Sequence, residues 1–167
     1  GYVAVNGDGT DDNLTRTALP YGDNLTIFTV IGLSGASLKG AWFKNGGGST
    51  GIGVGVGSGT FESNGNNLIA LIEGVAWLDS GDAMGTGRAL AVVTYDVGIT
   101  TFTLRLDGTE VYSSAAFGAS HPTGGTLSIC GYDTRYFADD IHMVGFYSRT
   151  LTVPEIEQIE AYLMAHW

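Results

Sequence analysis

Cysteine, proline and positive charge are all scarce in this chain. One cysteine among 167 residues, Cys130, excludes an intrachain disulfide and a cysteine-built zinc site. It sits in the apolar run LSICG, where the expectation is a buried, inert thiol rather than a nucleophile. Lys and Arg number 7 against 17 Asp and Glu, a formal net charge of −10. A field of that sign repels phosphate backbones and anionic lipid heads, so neither nucleic acid nor a membrane surface is expected as a partner. A cation, a neutral sugar or a basic protein surface suits it, and so does solubility alone. No apolar run reaches the ~18 residues of a membrane span, which argues against membrane insertion. No signal peptide is visible. The chain opens at Gly1 rather than Met, as expected of a domain cut from a longer protein.

Catalytic signatures are missing as well. A hydrolytic triad needs a His within reach of Ser and Asp, and no G-x-S-x-G motif stands beside His121, His142 or His166. His142 reads as a core-edge imidazole satisfied by a hydrogen bond. GIGVGVGSG has glycine at 51, 53, 55, 57 and 59, but none of these five has a glycine five residues after it, so the run fails the dinucleotide fingerprint. The expectation is that this protein is not an enzyme.

What is present is glycine and short apolar runs. Twenty-seven glycines, 44% hydrophobic residues and only three prolines argue for many short strands joined by tight turns. The length suits one domain spanning residues 1–167. Leu25 to Leu33 reads as a buried strand. Phe102, Leu104 and Leu106 alternate with Thr101, Thr103 and Arg105 ahead of Asp107-Gly108, the clearest hairpin. In the glycine run, Ile52, Val54 and Val56 share one strand face and bare backbone forms the other. Such a face admits an aromatic, the terminal helix or a ligand at close range.

The end of the chain is a strand, a turn and a helix. From Asp140 to Ser148, alternation puts His142, Val144 and Phe146 on one face and Ile141, Met143 and Tyr147 on the other. Thr152 stands three residues before Glu155, a capping box that starts a helix. Val153, Ile156, Ile159, Leu163 and Trp167 form its apolar stripe, with Glu155, Glu157 and Glu160 elsewhere on the cylinder.

Two stretches could hold a ligand. GYDTRYF concentrates Tyr132, Asp133, Arg135 and Tyr136 in one loop, the aromatic and planar polar groups that sugar sites use. Trp42, with Lys44 and Asn45, is a second candidate, although tyrosines and tryptophans also fill sandwich cores. The acidic turn with Asp8, Asp11 and Asp12 suits calcium, joined by Asp139 or Asp140 if the first and last strands are neighbours. Plain turn chemistry explains the same residues.

The chain resembles the laminin-G-like jelly rolls of the concanavalin A-like lectin and glucanase superfamily. The likeness rests on Phe137, Ile141, Val144, Phe146, Tyr147, Arg149, Leu151 and Glu155, on Val92 to Asp96, and on Asp107-Gly108. The opening turn of Asp8, Gly9, Asp11 and Asp12 also fits, and IEAYLMAHW looks like the ending found in bacterial surface and phage structural proteins. His142 and Met143 replace an acidic pair of the pattern; Val30 and Arg88 stand where tryptophans are usual. The resemblance implies an all-β, two-sheet antiparallel jelly roll with one short C-terminal α-helix. It implies a non-enzymatic, lectin-like adhesion module for a surface glycan, within a larger phage virion or bacterial surface protein. The alternative is a structural or decoration domain with a virion or surface-layer protein as partner; either way the setting is an extracellular surface or a virion. A glycan hydrolase is the third reading. Its strand-borne acidic signature is imitated only by EIEQIE at Glu155 to Glu160, where a helix turns Glu155 and Glu157 about 200° apart.

Overall fold

The computed structural model describes residues 5–8, 10–17, 24–35, 40–45, 51–58, 65–71, 77–96, 99, 101–114, 126–132 and 135–167. The strands in the first half are β1 (Val5–Asn6), β2 (Leu14–Thr17), β3 (Leu25–Leu33), β4 (Gly40–Asn45), β5 (Ile52–Gly57), β6 (Asn67–Leu71) and β7 (Trp77–Ala83). Those in the second half are β8 (Gly87–Asp96), β9 (Thr101–Leu106), β10 (Thr109–Ser114), β11 (Thr126–Ile129), β12 (Gly131–Tyr132), β13 (Arg135–Tyr136) and β14 (Asp140–Tyr147), followed by helix α1 (Val153–His166). One six-stranded sheet has the order β1-β14-β3-β8-β9-β10, and the other β2-β11-β4-β5-β6-β7. The strand pairs are antiparallel.

Alternation along β3 shows how the layers form. Leu25, Ile27, Ile31 and Leu33 enter the core between the sheets, with Val54, Val56, Leu68 and Leu104. Phe28 and Val30, on the opposite face, join Leu90 and Val92 in a second cluster closed by Leu151, Ile156 and Leu163. Burial of each such side chain stabilises the fold by roughly 1.5–3 kcal/mol. The helix therefore covers the outer face of the first sheet. It does not lie on the glycine face of β5, one of the packings that the bare backbone admitted.

The last strand departs from simple alternation. A bulge between Ile141 and Met143 adds a residue on β14, so the side-chain order switches there. Ile141 enters the inter-sheet core with Val144, whereas Met143 packs on the helix side. The His142 ring lies 5.7 Å from that of Trp167. The expected grouping of His142 with Val144 and Phe146 is thus corrected.

The helix begins at Val153, directly after Thr152. The Glu155 carboxylate accepts hydrogen bonds from the Thr152 backbone N–H and hydroxyl, both at 2.8 Å. Glu160 overturns its expected position, since its side chain is only 2% exposed and faces the sheet. Arg105 of β9 meets it with two hydrogen bonds of 2.9 Å and donates a third, of 2.8 Å, to the Gly108 carbonyl. Among the described residues, no helix is long and apolar enough to cross a membrane.

Candidate functional site

The candidate loop is built by an abrupt turn after β11. Cys130 adopts φ 75°, a left-handed conformation uncommon for a residue with a side chain. Its N–H donates to the Trp42 carbonyl at 3.3 Å, and its carbonyl accepts from Phe137 N–H at 2.6 Å. The intervening chain forms the small β12–β13 hairpin, pairing Gly131 with Tyr136 and Tyr132 with Arg135. Both short strands lie against β4, which is itself paired between β11 and the glycine strand β5. The backbone thus brings Tyr132, Arg135 and Tyr136 together on one hairpin. Asp133 lies outside the described residues. Cys130 itself is fully buried, and burial pushes its thiol pKa up, away from nucleophilic use.

Trp42 does not belong to this site. It is 0% exposed, its indole N–H donates to Thr29 Oγ1 at 3.1 Å, and its ring meets Phe137 edge-on at 5.4 Å. A tryptophan with its polar atom satisfied between two sheets is a core residue, so its reading as a sugar platform is corrected. The bulge between Ala41 and Phe43 turns both Trp42 and Phe43 into the core. Lys44 pairs with Gly53 of β5 and is fully buried. Burial pushes its amine down to about 8. The glycines of β5 are buried as well.

In the acidic turn, Asp8 N–H donates to Asp12 Oδ2 at 2.8 Å, and Thr10 N–H donates to Asp8 Oδ1 at 2.7 Å. β1 does pair with β14, and Gly7 N–H donates to the Asp139 carbonyl, so the first and last strands are neighbours. The Asp139 carboxylate, however, accepts Ser34 N–H at 3.1 Å. Among the described residues, no three His, Cys, Asp or Glu side chains converge to hold an ion. Asp8 and Asp12 thus act as acceptors within the turn.

No protein-family model and no curated protein matches the chain. Solved structures do. A heptameric pentraxin from Limulus polyphemus matches with TM-score 0.73 and 14% identity over 95% of this chain and 82% of its own. Domain 4 of an extracellular arabinanase from Geobacillus stearothermophilus, in complex with arabinotriose, matches with TM-score 0.68 and 12% identity, covering 96% and 82%. The binding domain of botulinum neurotoxin DC, in complex with SialylT, gives TM-score 0.68 and 10% identity over 94% of this chain and 42% of its own. The fold is an antiparallel jelly-roll sandwich. Identities this low carry the architecture and nothing finer.

Within the jelly roll, the glutamate run is structural. Arg149 donates to both oxygens of Glu155, at 3.1 and 2.7 Å, while Glu160 is held by Arg105. Among the described residues, His142 Nδ1 is buried without a hydrogen-bond partner, correcting the expectation of a satisfied imidazole. His166 Nδ1 lies 2.7 Å from the Tyr162 carbonyl, and His121 is outside the described residues. The Arg105–Glu160 pair was missed by sequence reasoning, although one signal pointed to it. Glu160 falls between Ile156 and Leu163, at i+4 and i+7 of the same helical stripe.

Proposed function

We propose that residues 1–167 form one non-catalytic, lectin-like module of the laminin-G-like type that binds a surface glycan. Its setting is a larger phage virion or bacterial surface protein. The observation that carries this reading is the β12–β13 hairpin, which sets Tyr132, Arg135 and Tyr136 on a backbone ledge against β4. Loops at a sandwich edge can present ligand groups without disturbing core packing. The arabinotriose and SialylT complexes of two structural neighbours support a sugar as the ligand class. A formal charge of −10 favours neutral glycans over sialylated ones. Non-catalytic action is supported by Glu155 and Glu160 each being engaged by an arginine, which leaves neither to act as an acid on a glycosidic bond.

A glycan-array screen with the purified domain tests this, with and without calcium, followed by incubation of any hit and analysis of the sugar for cleavage. Binding to neutral glycans with no cleavage is the expected result. Cleavage would restore the hydrolase reading. A blank array would favour the structural or decoration role with a protein partner. That second reading draws on Tyr147, Val153, Tyr162 and Met164, large side chains left exposed beside and along the helix.

A further inference from the structure

The outer face of the first sheet is not fully covered by α1. Between the helix and β14 runs a groove of about 440 Å³, floored by Phe28 and Met143 and walled by Ile159 and Leu163. Tyr147 and Tyr162 stand at its rim, 43% and 60% exposed. That volume falls within the roughly 300–1,000 Å³ typical of small-molecule sites. In the middle of the groove lies Gly145.

Gly145 is not explained by packing. A Cβ built there meets nothing within 4 Å, and its φ is not in the left-handed region. By contrast, a Cβ at Gly7 would clash with the Phe137 carbonyl oxygen. A glycine inside a strand weakens it through backbone entropy, and such a residue often marks the close approach of a ligand. Here it leaves an open gap between Met143 and Tyr147, beside the apolar floor of Phe28 and Met143.

We propose that this groove binds a small, neutral, aromatic molecule carrying one hydrogen-bonding substituent, a phenol-like ring. Among the described residues, no charged side chain lines it and Glu155 is already paired with Arg149, so none of them offsets the desolvation of an ionic ligand. Phe28 meets Tyr147 edge-on at 6.1 Å beneath the groove, and the exposed rings of Tyr147 and Tyr162 at its rim are those left to meet a further aromatic ring. The Gln158 amide in the lining supplies donor and acceptor for one polar substituent. The site lies on the helix-covered side of the first sheet, apart from the β12–β13 hairpin on the other.

The test is a fluorine NMR titration of the intact domain with para-fluorophenol, repeated with Gly145→Leu, Tyr162→Ala and Tyr132→Ala and with para-fluorobenzoate as probe. Gly145→Leu fills the gap and should keep the melting temperature of the unaltered domain. Saturable binding of the phenol is expected, weakened about tenfold or more by Gly145→Leu and several-fold by Tyr162→Ala. Tyr132→Ala should leave it unchanged, and the benzoate should bind at least about tenfold more weakly. Absence of saturable phenol binding, equal binding of the benzoate, or unchanged affinity in Tyr162→Ala overturns the proposal. Should Gly145→Leu fail to fold, the exposed Tyr162→Ala decides alone. A Tyr132→Ala variant that loses glycans but keeps the phenol separates this site from the glycan reading.

Discussion

Arg105 and Glu160 are each too polar to enter a protein interior alone, and they do so as a pair. With 8% and 2% of their side chains exposed, they exchange two hydrogen bonds of 2.9 Å. Replacing one partner leaves the other charge buried, so Glu160→Ala should destabilise the domain by about 3–5 kcal/mol in urea titrations. The double replacement Arg105→Met with Glu160→Leu should recover most of that loss, because well-packed apolar residues remove the desolvation penalty. Glu155 behaves differently because it is exposed. The Arg149 guanidinium and the Thr152 cap hold its carboxyl down at about 2. A carboxylate with a lowered folded value stabilises above its ordinary 4.5 and loses that contribution as pH falls toward 2. The stability difference between the unaltered domain and Glu155→Gln should therefore be flat above pH 4.5 and vanish near pH 2. Lys44 has the opposite window. Its folded state sheds the proton near 8 against an ordinary 10.5, so its burial should cost less as pH rises between those values. Denaturant titrations across that range should show the slope, and Lys44→Met should flatten it.

At the scale of elements, what was legible in the sequence was local. The cap of Thr152 and Glu155 marked the helix start to the residue. Asp107 and Gly108, with φ 48° and 82°, close the hairpin between β9 and β10 as their sequence implied. Strict alternation in β3 survived intact because both of its neighbours pair without a gap over Thr26 to Val30. The bulge at His142 was not legible, since an extra residue on one strand is defined only against its partner. The same holds for Trp42, whose burial depends on a second bulge in β4 and on Thr29 of the opposite sheet. Its grouping with Lys44 and Asn45 made it resemble a site residue. Trp42→Ala should cost about 3–5 kcal/mol of stability, read from thermal or urea unfolding, as for a fully buried aromatic. A change of less than about 1 kcal/mol would contradict the core assignment.

For the molecule as a whole, the chain divides its chemistry between two sheets. One outer face carries the helix, its ion pair and the aromatic groove. The other sheet carries the glycine strand and, along β4, the hairpin with Tyr132, Arg135 and Tyr136. Composition and turn signals announced many short strands, whereas the jelly roll itself was implied only by the family resemblance. The candidate site was only half readable, because the sequence concentrated its residues but only long-range pairing could place them beside β4. In the acidic turn, Asp8 and Asp12 spend carboxylate oxygens on backbone donors, so melts with calcium and with chelator should coincide. The account stands most directly on the glycan affinity of the hairpin. Calorimetric titration of the best neutral glycan from an array, with the unaltered domain, Tyr132→Ala and Tyr136→Ala, measures it. The predicted result is a loss of about 2 kcal/mol or more in binding for at least one variant, with melting temperatures nearly unchanged. Variants that melt early while binding the glycan as before would contradict it.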